Sequence, residues 1–261
     1  MSEKALVVLS GGQDSTTCLF WAVQRYGRRN VSAVTFDYGQ THRLEIESAA
    51  KVAELAQVNH EIIAVPGVIV STSPLTDPTA ELERYENAEQ MDAVIGDRRE
   101  TTFVPMRNAL FLTIAANRAE ALGATNIILG VCQMDNANYD DCREVFILAA
   151  AKYINTALGH DHRGTPAIML WTPLMYMSKA ETCHMAQTLP GCWDALAYTH
   201  TSYDGCYPPT DMNHANVLRA DGFEQAGLPD PLVLRAADEG LMDIPRTANY
   251  TGARGERGLV T

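Results

Sequence analysis

Basic residues are scarce in this chain: 20 Lys and Arg stand against 32 Asp and Glu among 261 residues, a net charge of -12 at pH 7. Binding a phosphodiester backbone needs clustered cations, so nucleic acid is excluded as an expected partner, and a tRNA-modifying role with it. No CxxC pair occurs. The six cysteines, Cys18, Cys132, Cys142, Cys183, Cys192 and Cys206, are scattered, which indicates neither a disulfide framework nor a zinc ribbon and predicts mostly reduced, buried thiols. No apolar run approaches the length of a membrane span, and Met1-Ser2-Glu3-Lys4 leads straight into a core-like strand rather than a signal peptide. A cytoplasmic protein with no membrane partner is expected. Internal repeats and low-complexity tracts are also missing. With 46% hydrophobic content, the length suits one substantial α/β domain with appendages and a single active site.

What is present is concentrated near the N-terminus. The apolar run Ala5-Leu6-Val7-Val8-Leu9 precedes Ser10-Gly11-Gly12-Gln13-Asp14-Ser15-Thr16-Thr17, and Cys18-Leu19-Phe20-Trp21-Ala22-Val23 follows. This pattern predicts strand, tight loop and helix. Gly11 and Gly12 let the backbone approach an anion, Ser10, Ser15, Thr16 and Thr17 offer hydroxyls, and the free amides at the helix start add the positive end of its dipole. A Walker loop would need a Lys before the hydroxyl pair and a dinucleotide turn would need a third glycine; both are missing. The plain alternative is a Gly-Gly turn with Ser15 or Asp14 as helix cap. In its strand and helix context the string resembles the SGGxDS pyrophosphate loop of the ATP pyrophosphatase superfamily, whose members cleave ATP between the α and β phosphates.

Further along, Val31 to Phe36 and Glu61 to Val65 are predicted strands around a helix from His42 to Gln57. Asn108 to Leu122 and Glu144 to Leu158 are predicted helices, alternating with strands at Asn126 to Val131 and Ala167 to Trp171. Ser178-Lys179-Ala180-Glu181 starts another helix. Such alternation implies an α/β fold, a parallel sheet flanked by helices with right-handed crossovers, and ligands at the carboxyl ends of the strands. Residues 66–101 change character and suggest a lid-like insertion. Beyond Pro190 the chain is expected to be irregular until Asn213 to Ala226, with a short helix at Pro231 to Glu239 and a loose tail at Arg254 to Gly258.

Several strings then point to one branch of the superfamily. They are Phe36-Asp37-Tyr38-Gly39-Gln40 with His42 and Glu45, Phe103-Val104-Pro105-Met106-Arg107-Asn108, Gly130-Val131, Tyr139-Asp140-Asp141-Cys142-Arg143, Thr172-Pro173-Leu174-Met175, Ser178-Lys179-Ala180-Glu181 and Leu218-Arg219-Ala220-Asp221-Gly222-Phe223. Over residues 3–226 the chain resembles the 7-cyano-7-deazaguanine synthase family of queuosine biosynthesis. The resemblance implies an adenine nucleotide alpha hydrolase-like fold, a pyrophosphatase domain over residues 1–190 and a C-terminal segment over 191–261. It implies an ATP-dependent carbon–nitrogen ligase, with Mg²⁺, that converts a 7-carboxy-7-deazaguanine and ammonia to the nitrile as a homodimer. The implied nucleotide-binding residues are Leu9, Ser10, Gly11, Gly12, Gln13, Asp14, Ser15, Thr16, Thr17, Phe36, Arg107 and Gly130. Those implied for the substrate are Tyr38, Gln40, His42, Arg107, Asn108, Tyr139, Asp141, Arg143 and Lys179, with Asp14, Lys179 and Arg143 as the catalytic set.

Elementary chemistry agrees with that assignment. Making a nitrile from a carboxylate removes two oxygens, and adenylation supplies each with a leaving group. A planar carboxylate wants a bidentate or ammonium partner, for which Arg107, Arg143 and Lys179 stand at expected strand ends or helix starts. Each could equally be a surface salt bridge. Asp141 is a candidate acceptor for the deazaguanine edge, Asp140 is assigned to solvent, and Cys142 is read as a packed residue because no His adjoins it.

The chain departs from the family in one place. The resemblance implies four zinc-binding cysteines near the C-terminus, yet anchoring on Leu218-Arg219 puts Ser202, Thr210, Asn213 and Asn216 at those positions. Hydroxyls and amides are poor zinc ligands, so no zinc is expected and the site becomes a hydrogen-bonded turn, with Thr210 and Asn213 supplying bonds. A metal site rebuilt from Cys183, His184, Cys192, His200, Cys206 or His214 matches no ligand spacing. Rival readings are a relative that stops at the carboxamide, a tRNA thiolase, which would need a cysteine pair and a basic face, and a non-catalytic or protein-conjugating relative. No stretch is long enough for a glutaminase domain, so ammonia is free or delivered.

Overall fold

The first strand, β1 (Ala5–Val8), is buried on both faces, and its alternation decides which layer each residue joins. Ala5 and Val7 pack with Leu19, Val52, Ala186 and Leu196, whereas Leu6 packs on the opposite side with Leu112, Ala116 and Ile154. A strand covered on both faces by helices belongs to a parallel sheet. The computed structural model, which describes residues 3–41, 43–134, 138–164 and 167–258, contains that sheet.

In chain order the elements through the sheet are α1 (Gln13–Tyr26), β2 (Val31–Asp37), α2 (Leu44–Ala56), β3 (Asn59–Ala64), α3 (Ala88–Ile95), α4 (Arg107–Leu122), β4 (Asn126–Ile128), α5 (Glu144–Leu158), α6 (His160–Arg163) and β5 (Met169–Trp171). Then follow α7 (Lys179–Thr188), α8 (Cys192–Leu196), α9 (His214–Gln225), α10 (Pro231–Asp238) and α11 (Thr251–Glu256). The strands are ordered β3-β2-β1-β4-β5 and all four pairings are parallel. Helices α1, α2, α7 and α8 cover one face, and α4 and α5 the other. No helix among the described residues is long and apolar enough to cross a membrane.

The alternating strands and helices predicted from the sequence are present, with β4 and β5 shorter than expected. Three corrections concern short helices that local signals could not sustain and tertiary contacts do. Within residues 66–101, α3 starts where the Asn87 side chain accepts from the Gln90 amide, and its Met91 and Ile95 are buried against Tyr85 and Val217. Beyond Pro190, α8 buries Cys192, Ala195 and Leu196 under α1. The tail is not loose through Glu256, because α11 occupies Thr251–Glu256 and Arg254 Nη1 donates to the Pro245 carbonyl at 2.8 Å.

Candidate active site

The strand order reverses at β1. The chain first steps outward from it to β2 and β3, then crosses to β4 and β5 on its other side. A crevice opens where connections leave the carboxyl ends of two neighbouring strands in opposite directions, and the loops after β1 and β4 meet there. Gly130, after β4, packs so tightly on the first turn of α1 that a Cβ would lie 2.7 Å from the Ser15 nitrogen. Gly11 has φ +87°, and a Cβ there would lie 2.3 Å from the Glu45 carbonyl. Gly130 is therefore required by close approach, and Gly11 by close approach as well as by conformation.

The result is a cavity of about 320 Å³ lined by Leu9, Ser10, Gly12, Gln13, Asp14 and Ser15 on the loop side. Its remaining walls bring together most of the other predicted residues: Phe36, Tyr38, Gln40, Arg107, Asn108, Gly130, Tyr139, Arg143 and Lys179. The loop is internally tied. Ser10 and Ser15 hydroxyls are 3.0 Å apart, the Ser10 amide donates to Ser15 Oγ at 3.1 Å, and Ser15 Oγ donates to the Gly12 carbonyl at 3.2 Å. The first turn of α1, a helix of 14 residues, lines the cavity with Gln13, Asp14 and Ser15.

Thr16 and Thr17, predicted to face the nucleotide, do not line the cavity. Both are fully buried in α1. Thr17 Oγ1 donates to the Gln13 carbonyl at 3.0 Å, the back-bonding of a helical hydroxyl. Asp141 also stands outside the lining: its carboxylate accepts from the Asn108 amide at 3.4 Å, and burial raises it above the ordinary range. Asp140, assigned to solvent, is exposed but pairs with Arg99. His42 lies outside the described residues. Cys142 is half-buried, and Asn108 Nδ2 lies 3.5 Å from its sulfur.

Lys179 is the link between the two walls. Its Nζ donates to Asp14 Oδ2 at 2.8 Å, and the two side chains are only 12% and 23% exposed. Ser178 caps α7 through a reciprocal box with Glu181, which fixes the first helical residue, Lys179, against the loop. The other cations are placed by neighbours. Arg107 Nη1 donates to the Tyr38 hydroxyl at 3.5 Å, and Arg143 Nη2 to Asn138 Oδ1 at 3.3 Å. Tyr139 meets Thr102 Oγ1 through its hydroxyl.

Several lining residues were not singled out as site residues from the sequence. Phe111, one turn along α4 from Arg107, stacks on Phe36 with ring centroids 4.2 Å apart and planes at 13°, giving the cavity a flat aromatic wall. Its spacing from Arg107 was the available signal. Tyr203 and His200 arrive from the loop before α9, for which no periodicity exists. Glu45 also lines the cavity, and burial pushes its carboxyl from 4.5 to about 7, with Arg107 opposing. Because the folded state favours the protonated acid, this stability is complete below the unfolded value and is lost as pH rises through about 7. Glu45→Gln should flatten the dependence of melting temperature on pH across that window. Melting curves with the same slope in both proteins would show that Glu45 does not titrate there.

The four positions where the resemblance implies zinc ligands do not fit a metal. Ser202, Asn213 and Asn216 are buried, but they gather around a carboxylate. Ser202 Oγ donates to Asp211 Oδ1 at 2.6 Å, Asn213 Nδ2 to Asp211 Oδ2, and Asn216 Nδ2 to Asp211 Oδ1 and, at 3.2 Å, to the Asp211 main-chain carbonyl. Asn213 also caps α9 by accepting from the Asn216 amide at 3.1 Å. Burial, followed by a hydrogen bond with Asp204, raises the Asp211 carboxyl. Thr210, expected to contribute, is exposed, and its amide donates to the Pro208 carbonyl at 3.0 Å. Among the described residues no group of three His, Cys, Asp or Glu could hold a metal ion.

Comparison with known proteins shows the family. A model of the family described as queuosine biosynthesis protein QueC matches residues 4–227. Relatives named 7-cyano-7-deazaguanine synthase are 47% identical over 238 residues in Chromobacterium violaceum (91% of this chain, 96% of the relative) and 45% identical over 240 residues in Laribacter hongkongensis (90% and 96%). A third, from Gloeobacter violaceus, is 44% identical over 233 residues (88% and 95%). The loop after β1, the glycine contacts and the cationic wall thus occur in a chain that belongs to the QueC family of queuosine biosynthesis proteins.

Proposed function

We propose that the protein is an ATP-dependent 7-cyano-7-deazaguanine synthase. The observation that carries this reading is the 2.8 Å contact between Lys179 and Asp14, which sets an ammonium at the junction of the anion-binding loop and the wall bearing Arg107 and Arg143. The relatives' name supplies the substrate class. ATP phosphates fit the amides of Gly12 to Ser15, with Gly130 allowing close approach and Phe36 with Phe111 forming a flat face for a ring. Mg²⁺ would be held chiefly by the phosphates, with Asp14 as the protein carboxylate, since octahedral Mg²⁺ in phosphate sites needs only one or two such ligands. It would neutralise charge on the departing pyrophosphate.

In this reading the loop retains pyrophosphate while the substrate carboxylate attacks the α-phosphorus, forming an acyl adenylate. Ammonia displaces AMP to give the carboxamide. A second ATP adenylates the amide oxygen, and loss of AMP with the remaining N–H proton leaves the nitrile. Arg143 and Lys179 hold the carboxylate oxygens by charge-assisted bonds, and Tyr38, Gln40, Asn108, Tyr139 and, behind them, Asp141 shape the deazapurine pocket. A homodimer, a cytoplasmic location and a division at about residue 190 between catalytic domain and C-terminal segment complete the proposal, resting on the family. Incubation with carboxylate, ammonium and ATP should yield AMP and the nitrile mass. ADP in place of AMP would refute the mechanism, and a product ending at the carboxamide mass would refute the synthase assignment.

A further inference from the structure

Arg219 of α9 is 3% exposed, and its guanidinium is engaged on all sides. Nε donates to Asp230 Oδ2 at 2.6 Å and Nη2 to Asp230 Oδ1 at 2.8 Å, a bidentate ion pair. Nη1 donates to the hydroxyls of Thr199 and Thr201, each at 2.8 Å. Between these threonines, the His200 amide donates to the Gly11 carbonyl at 2.9 Å. Gly11 is the loop residue whose left-handed backbone leaves no room for a side chain. One continuous set of bonds therefore runs from Asp230 through Arg219 and the 199–201 backbone to the phosphate loop.

Its far end is equally well tied. Asp230 caps α10 by accepting from the Leu232 amide at 2.9 Å, and its own amide donates to the Tyr250 hydroxyl at 3.2 Å. Arg235 Nη1 reaches back to the Ala197 carbonyl at 3.2 Å. Asp230, Arg235 and Tyr250 all lie past residue 227, where the family match ends. A buried ion pair gains little net stability over well-packed apolar residues, and what a bidentate pair supplies is fixed geometry.

We infer that the segment from Asp230 to Tyr250 is a brace for the phosphate loop, and that Asp230 and Arg219 are positioning residues for nucleotide binding. The inference rests on the proposed reading of the loop as the ATP site. Its test has two readouts on the full chain: hydrogen exchange at the His200 amide, and the affinity for a non-hydrolysable ATP analogue with Mg²⁺. Asp230→Asn should accelerate His200 exchange relative to the β1 amides and weaken analogue binding by about tenfold, the loss of one charge-assisted interaction. Tyr250→Phe, which removes a single hydroxyl, should move both readouts in the same direction by a smaller factor, and it decides the matter should Asp230→Asn fail to fold. Wild-type exchange and affinity combined with a lowered melting temperature would overturn the brace. An unmodified protein that does not bind the analogue would overturn the proposed function instead, and His200 exchange alone would then judge the brace.

Discussion

Gly222→Ala is expected to lower turnover about as much as Lys179→Ala and to lower the melting temperature as well. A Cβ at Gly222 would lie 2.3 Å from Lys179 Cγ and 2.8 Å from its Cβ. These are the inner atoms of the side chain, so the lysine must move rather than merely bend at its tip. Gly222 lies buried within α9, where alanine gains about 0.8 to 1 kcal/mol in helix propensity, but crowding against the inner atoms of Lys179 costs about 1 to 3 kcal/mol and outweighs it. Removing the ammonium outright should cost about 1.5 to 3 kcal/mol, one to two decades in kcat/KM for the carboxylate. Two changes that act through the same ammonium should not multiply, so the double variant should resemble Lys179→Ala. Steady-state kinetics checks this: independent, multiplying effects would show that α9 does not position Lys179.

Asp211→Ala is expected to lower the melting temperature by about 6 to 12 °C, and chelator treatment of the unmodified protein to leave it unchanged. Removal of the carboxylate strands donors on Ser202 and Asn213 and takes one of the two Asp211 bonds from Asn216. Leaving buried donors unpaired costs about 1 to 3 kcal/mol each, and a total near 3 kcal/mol corresponds to that shift at about 2 to 4 °C per kcal/mol for a chain this long. A metal-stapled segment would behave oppositely, because metal binding and folding are linked. Elemental analysis near one zinc per chain, or a chelator-induced fall in melting temperature, would contradict the assignment of Asp211 as the centre of this region.

Legibility from the sequence followed the range of the forces involved. The loop after β1 could be read because strand, glycine pair and helix start are contiguous, so local backbone requirements specify them. Even there, the outward face of α1 was overestimated: after Ser15 the helix turns Thr16 and Thr17 into the core, as a rotation of about 100° per residue demands. The cationic wall was legible as residue types but not as partners. Lys179 and Asp14 are 165 positions apart, and the capped start of α7, its core packing and the closeness of Gly222 to Lys179 bring them together. The loop that carries His200 and Tyr203 was opaque because Arg219, Asp230 and the Asp211 carboxylate organise it, and none of these leaves a periodic signal.

The central claim is that both oxygens of the substrate carboxylate leave on adenylate. Turnover of carboxylate labelled with ¹⁸O in both positions, followed by mass spectrometry of the nucleotide, tests it directly. The account predicts a nitrile free of label, two AMP formed for each nitrile, and one ¹⁸O atom in each AMP. Label appearing in inorganic phosphate or in water, with unlabelled AMP, would contradict it.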